Sequence, residues 1–346
     1  MNMSNRQFLG IINYKIFVYV VVVFLSVAFA VIGCDSLSEQ KTRKQVDKVT
    51  LGVETSLLPA AVWVAESKGY FEDEGLELNI TEFDSGRLSF LAMLEGKVDI
   101  STVAPTPIMF SSFKRQDFSI FLTFVHSYED VKVIARKDKG IKTGADLKGT
   151  KVGTPAGTTG QFFLSAFLTY NDLQPSEVEE IDIKPSDLPN ALKNNQVDAI
   201  VIWEPHGYNA GKLLGDKAIR LPSSEVYKET FNFMVMNDFA KANSEALKKF
   251  IRAIDKATTF IKNQKQESQD IVAKRLKLDY EVMSTLWDDF IFQVSLDQSL
   301  LLTLEDEARW AIKSGLTDKA EVPDYLDYIY IEALNEVKPE SVNIIR

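Results

Sequence analysis

The hydrophobic pattern changes character once along the chain. An unbroken apolar run, "IFVYVVVVFLSVAFAVI" (Ile16 to Ile32), gives way near Lys48 to short β-type runs that take turns with stretches of helical period. "KVTLGVE" (48–54), "LELNITEF" (76–83) and "VDISTVAP" (98–105) predict strands. Between them, a helix starts at Pro59 and ends near Gly69, and "SGRLSFLAMLEGK" (85–97) predicts a second helix with Ser85 as its N-cap. The order βαβαβ favours a parallel sheet with helices on both faces.

About a hundred residues later the order returns. "TKVGTPAG" (150–157), "VEEIDIKP" (178–185) and "VDAIVIWEP" (197–205) predict strands, with "TTGQFFLSAFLTYNDL" and "SDLPNALKNNQ" as the helices between. The copies share Val98-Asp99-Ile100 with Pro105, and Val197-Asp198-Ala199 with Pro205. Such a repeat suits two sister α/β lobes better than a solenoid. "DFSIFLTFVHSYEDVKVIARKD" (117–138) carries the chain across and "TFNFMVMNDF" (230–239) brings it back, so the hinge has two crossings. The expected division is 49–133 plus 230–346 for lobe 1 and 134–229 for lobe 2. From Asn243 the pattern reads as helical throughout, "LDYEVMSTLWDDFIF" (278–292) included, with Gly315 as a helix stop. These helices are expected to pack on lobe 1, with Trp287 and Trp310 in its core.

The apolar run is preceded by Arg6 and Lys15 and by no acidic residue, as in a secretory signal. It ends in "VIGC", which resembles the bacterial lipobox, where the cysteine is acylated and the chain is cut before it. That reading makes 1–33 a signal peptide, Cys34 the lipidation site and 34–48 a polar tether. An uncleaved anchor helix is the alternative. Either one fixes the chain to a membrane and leaves the rest outside the cytoplasm, facing the periplasm or the cell exterior. Cys34 is the only cysteine of 346 residues, so no intrachain disulfide can form.

Without residues 1–33 the balance is 37 basic against 49 acidic residues, a net −12, with no basic block. Such a chain is a poor partner for nucleic acid. Its two histidines, His126 and His206, are far apart, and no nucleophile-elbow, metalloprotease or P-loop pattern occurs. This inventory argues against hydrolysis, redox work and structural zinc. No catalytic residue, cofactor or metal is expected.

What remains is a binding cleft. In open α/β sheets ligands sit beyond the carboxyl ends of strands, near helix N-termini. In "PAGTTGQF" (155–162), Gly157 and Gly160 allow a tight turn, and Thr158 and Thr159 offer caps and hydroxyls beside unpaired N–H groups that suit an anion. "DSGR" (84–87) adds Arg87 as an anion partner. In "IWEPHGY" (202–208), Trp203 can cover a planar group and Glu204 can accept from an amine or hydroxyl. His126 and Asn232 can line the floor.

The blocks "LLPAAVWVAESKGYFEDEGLELNI", "SGRLSFLAMLEGKVDISTVAPTP", "ADLKGTKVGTPAGTTGQFFL" and "NALKNNQVDAIVIWEPH" resemble the substrate-binding lipoproteins of ABC importers, in the branch for nitrate, sulfonates, taurine and thiamine-pyrimidine precursors. The resemblance runs from about Val49 to Gly315. It implies the two-lobed, type II periplasmic-binding-protein fold, and contacts from Ser56, Ser85, Gly86, Thr106, Thr158, Thr159, Trp203 and Glu204. It also implies permease and ATPase partners, with the receptor a monomer that does no bond chemistry. Gln161 stands where sulfonate binders often carry a histidine, and "WEP" is compatible with a pyrimidine precursor. Sulfonate, aromatic acid and aminopyrimidine ligands all stay open. So do a tethered sensor using the same cleft and a pyrimidine-synthesis enzyme on this scaffold.

Overall fold

The computed structural model describes residues 47–223 and 226–345, so the expected signal segment, Cys34 and the tether through Val46 lie outside the described residues. Each repeat builds a sheet of its own. The first sheet takes, in order along the chain, β1 (Asp47–Glu54), β2 (Leu76–Phe83), β3 (Ile100–Val103), β4 (Phe118–Ser127) and β10 (Glu229–Met236). The second sheet takes β5 (Lys132–Arg136), β6 (Lys151–Thr154), β7 (Glu179–Asp182), β8 (Ala199–Ile202) and β9 (Ala218–Leu221). Late in the chain, β11 (Phe290–Asp297) and β12 (Val342–Asn343) complete the first sheet. The spatial orders are β12-β11-β4-β10-β3-β1-β2 and β7-β6-β8-β5-β9.

The duplication is one of topology as well as sequence. In one sheet β1 lies parallel between β2 and β3, with antiparallel β10 beyond β3. In the other β6 lies parallel between β7 and β8, with antiparallel β5 beyond β8. The shared aspartate has one job in both. Asp99 Oδ2 accepts the Thr50 N–H at 2.8 Å and its hydroxyl at 2.6 Å, and Asp198 Oδ2 accepts the Lys151 N–H at 2.9 Å. Each ties the entry of the third strand to that of the first. Gly52 and Gly153 also correspond: a Cβ there would come within 2.7 Å of Ser89 Oγ and 2.8 Å of Leu188 Cδ2, so a side chain at either would push the crossover helix off its sheet.

Two separate apolar cores follow from the two sheets. The helix Ser244–Asn263 buries Leu247, Phe250, Ile251 and Ile254 on the first, where the Phe250 ring meets Phe233 edge-on at 4.8 Å. Each such side chain contributes about 1.5–3 kcal/mol on burial. At the end of the helix Gln298–Lys313, Gly315 takes φ +67° and lets the Leu316 N–H reach the Ala311 carbonyl at 2.9 Å, so the helix stops there. Trp287 is buried against Phe292, whereas Trp310 is half-buried between Phe110 and Phe162.

The all-helical reading of the C-terminal part is corrected by β11 and β12. Only Tyr280–Leu286 and a turn through Asp289 are helical in 278–292. Phe290, Phe292, Val294 and Leu296 then alternate with Ile291, Gln293, Ser295 and Asp297 at the period of a strand, and β11 pairs with β4. The helical period of the preceding turns hides that alternation. The first predicted helix is also divided, into Ala60–Ser67 and Tyr70–Glu74, at Gly69 with φ +70°.

The chain passes from the first sheet to the second between Ser127 and Lys132 and returns between Leu221 and Glu229. Asp130 and Tyr227 lie in these crossings.

Candidate functional site

The carboxyl end of β1 and the N-terminus of the helix Gly86–Leu94 on one lobe face the N-terminus of the helix Thr159–Tyr170 and the end of β8 on the other. Between them is a narrow cavity of about 20 Å³, room for about one water molecule. Ser85, Gly86 and Ala104 line it from the first lobe, Thr158, Thr159 and Trp203 from the second, and Glu229 and Phe231 from the hinge strand β10.

Its chemistry is set by buried carboxyl groups. Glu54, the last residue of β1, accepts the Gly86 N–H on Oε2 at 2.7 Å. Burial, reinforced by the charge of Asp130, pushes its carboxyl up to about 8, against the hydrogen bonds from Gly86 and Ser56. Glu229, the first residue of β10, is raised well above the carboxylate range by burial, by Asp130 and by Glu54, with Thr159 opposing. Asp130 is raised to about 6 by burial, with Glu229 and Lys132 pulling it down. Asp130 and Glu229 act on each other, Asp130 raising the Glu229 carboxyl and Glu229 lowering that of Asp130, so protonation is favoured at Glu229.

Behind this group Lys132 is buried at the start of β5. Its Nζ lies 2.6 Å from Asp289 Oδ2, 3.6 Å from Glu204 Oε1 and 3.9 Å from Glu129 Oε2. One ammonium thus joins the second lobe to the first through Asp289. Burial pushes the Glu204 carboxyl up to about 7, with Lys132 opposing most. Among the described residues no cluster of His, Cys, Asp and Glu is arranged to hold a metal ion.

The expected residues meet this site unevenly. Ser85, Gly86, Arg87, Thr158, Thr159 and Trp203 line the cavity. Ser85 caps its helix, accepting the Leu88 N–H at 3.3 Å. Thr158 occupies the N-cap position but donates its hydroxyl back to the Pro155 carbonyl at 2.7 Å and caps nothing. Gly157, at φ +70°, lets the backbone turn against Arg87, whose Nε would lie 3.2 Å from a Cβ there. Ser56 is buried beside Glu54.

The others are turned elsewhere. Gly160 is spent on close packing, since a Cβ would lie 2.6 Å from Thr154 Oγ1. Thr106 is buried against Glu307 of the helix Gln298–Lys313. Asn232 is locked into the first sheet, accepting from Thr123 Oγ1 at 2.6 Å and donating to the Val103 carbonyl at 3.3 Å. His126 sits half-buried on β4 with Tyr128 edge-on to its ring at 6.3 Å. Glu204 looks away from Trp203 into a second crevice of about 550 Å³, lined also by Lys132, Tyr208, Lys212, Arg220 and Asp289.

Glu54, Asp130 and Glu229 were not among the expected residues. Each had a signal: Glu54 opens the loop "ETSLLPA" after the first strand, Asp130 closes "HSYED", and Glu229 directly precedes the β-rich run "TFNFMVMNDF", which is the strand β10 itself and not the crossing it was expected to be.

A model of the family described as NMT1/THI5 like matches residues 59–268. A Bacillus subtilis (strain 168) protein that bears the name of an aliphatic sulfonates-binding protein is 25% identical over 323 residues, 91% of this chain and 96% of that one. The crystal structure of the periplasmic aliphatic sulphonate binding protein SsuA from Escherichia coli superposes with a TM-score of 0.71 at 19% identity, over 84% of this chain and 98% of that one. The desulfurization enzyme DSZB superposes with a TM-score of 0.62 at 15% identity, over 85% and 99%. At these identities the two structures share the fold.

Proposed function

The chain belongs to the NMT1/THI5-like family, and from that membership we propose that it is the extracytoplasmic solute-binding receptor of an ABC importer. It captures a small organic solute between its lobes and presents the closed form to a permease driven by an ATPase subunit. The observation that carries this reading is the cavity itself: both lobes and a hinge strand supply its walls. A solute that touches both lobes favours the closed state by its differential affinity, and the two crossings supply the hinge. At about 20 Å³ the closed space admits no organic molecule, so the lobes part to load it. The division into two lobes and a monomer tethered through an acylated Cys34 belong to the same proposal, with the expected boundaries at 133/134 and 229/230 moved by a few residues, since Lys132 and Val133 pair in the second sheet and Glu229 in the first.

The receptor does no bond chemistry of its own in this reading. DSZB shares the scaffold, and this chain's only cysteine is Cys34, which the resemblance to a lipobox assigns to acylation. The wall residues offer charge, hydrogen bonds and an indole face, which suffice to hold a solute.

A thermal-shift panel of sulfonates, nitrate, aminopyrimidines, aromatic acids and polyamines tests the proposal. A solute at one hundred times its dissociation constant stabilises the folded form by about 2.7 kcal/mol. Trp203→Ala should abolish the response to the solute that gives it. A response that survives in the variant, or a panel without any response, contradicts the cleft as the site. An anion is the second reading of the ligand, favoured by the name of the B. subtilis relative and by Arg87 at the rim.

A further inference from the structure

The walls of the cavity run against an anion. Glu54 and Glu229, each 3% exposed, both line it, and no buried basic side chain does. Arg87 lines it only from an exposed position at the rim. At the helix Gly86–Leu94 the first N–H is already taken, because the Gly86 N–H donates to Glu54 Oε2 at 2.7 Å; the N-terminus of the helix Thr159–Tyr170 also borders the cavity, where it faces the Glu229 carboxyl rather than a basic side chain. The Thr158 hydroxyl is likewise spent on Pro155. Lys132, the buried ammonium behind the wall, is held by Asp289, Glu204 and Glu129 and lines the other crevice.

What the walls still offer is mostly acceptors. Glu54 Oε1, Glu229 Oε2, Thr159 Oγ1 and Trp203 Nε1 are buried, and among the described residues none has a hydrogen-bond partner of good geometry. All four side chains are more than nine-tenths buried and line the cavity. Buried polar groups of this kind are costly unless a partner arrives. Two carboxyl groups and an indole face together match a flat cation with several N–H donors.

The geometry points to an organic cation of the amidinium or guanidinium class as the solute, with its N–H groups on Glu54 and Glu229 and its face against Trp203. This rests on the cleft being the solute site. The groups that face these carboxyls are Asp130 and Ser56 at Glu54, and Asp130, Thr159 and Tyr227 at Glu229. Lys132, Asp289 and the Glu204 backbone stand behind Asp130, and Arg87 stands at the rim. Bare carboxyl groups so close in a dry site hold protons at neutral pH; an arriving cation replaces that positive charge and the protons leave to solvent. Capture therefore releases protons, and affinity rises with pH until the carboxyls are ionised without help.

Titration calorimetry on the full-length chain in detergent, with three probes of nearly one shape, tests this: benzamidinium, neutral benzamide and benzenesulfonate. Benzamidinium should bind roughly tenfold or more tightly than the other two, and roughly tenfold more tightly at pH 8 than at pH 6, with a heat that depends on the buffer's ionisation enthalpy. Glu54→Gln and Glu229→Gln should each weaken it by about tenfold or more, while melting curves show both variants folded. Benzenesulfonate binding more tightly than benzamidinium overturns the inference. If Trp203→Ala then removes the sulfonate, the cleft stands as the solute site and only the cation is wrong. Benzamidinium that binds without regard to pH or to either Gln variant, or binding by none of the three probes, also overturns it.

Discussion

Glu54 Oε2 sits 2.7 Å from the Gly86 backbone nitrogen and accepts its N–H. A strand end of the first lobe thereby places a carboxyl group on the helix N-terminus that borders the cavity. That contact needs Gly86: a Cβ there would lie 3.0 Å from both Val103 Cα and Phe231 Cζ and 3.1 Å from Glu54 Oε2. Gly86→Ala should destabilise the empty protein by about 1–3 kcal/mol, read as a lower urea midpoint, because backbone on one side cannot yield. An unchanged midpoint would mean the helix can slide.

Stability should fall as pH rises through the neutral range. The Glu54 carboxyl holds its proton to about 8 when folded, against 4.5 when unfolded. The unfolded chain therefore gives up this proton first, and each pH unit between those values costs about 1.4 kcal/mol of stability for this group alone. Glu307, raised by burial to about 8, and Glu204, to about 7, act in the same direction. Urea melts of the empty protein from pH 5.5 to 8 should show the decline, and Glu54→Gln should make it shallower. A curve that rises over this range contradicts the buried, protonated state of these groups.

How far the sequence foretold this is uneven, for physical reasons. The two-sheet topology was legible because strand and helix periods alternate in the same order twice, and Asp99 and Asp198 mark the same strand entry in both copies. β11 was not, since its alternation follows directly on a helical turn. Glycines and threonines at helix starts announced the cavity's rim. Glu54, Asp130 and Glu229 were silent because each looks like any of 49 acidic residues until the fold buries them together. Trp203 and Glu204 are neighbours that point opposite ways into different spaces, a difference that adjacency in sequence conceals.

Lys132→Met should be among the more damaging single changes. It removes the ammonium that Asp289 approaches to 2.6 Å and leaves Glu204 and Asp289 without their cation. Breaking a buried ion pair in this way costs about 3–5 kcal/mol. A loss under about 1 kcal/mol in denaturant melts would show that the carboxyls simply take up protons.

Phe162 of the second lobe meets Trp310 of the first edge-on at 5.3 Å and Tyr227 of the returning crossing at 5.3 Å. Tyr227 in turn donates its hydroxyl to Glu307 Oε1 at 2.9 Å. In the proposed clamp these contacts favour the form with the lobes together. Each aromatic pair contributes about 0.5–1.5 kcal/mol, so Phe162→Ala should weaken solute binding by roughly tenfold through the opening equilibrium. Calorimetry on the variant checks this. Unchanged affinity would mean that the two rings do not part when the lobes open.

Asn232→Ala should act on the fold and leave the solute alone. Its side chain joins β10 to Thr123 of β4 and to the Val103 carbonyl of β3. Removing it leaves buried groups unpaired, at about 1–3 kcal/mol. Loss of binding in a variant that still melts cooperatively would give Asn232 a part in the cleft.

The most direct test of the two-lobed clamp is the distance between lobes in solution. Spin labels at Lys97→Cys and Lys193→Cys, both exposed and one on each lobe, in a Cys34→Ser background, report it by pulsed dipolar spectroscopy. The solute that gives the largest thermal shift should shorten and narrow the distribution relative to the empty protein. One unchanged distribution with and without that solute at saturation would contradict capture by closure.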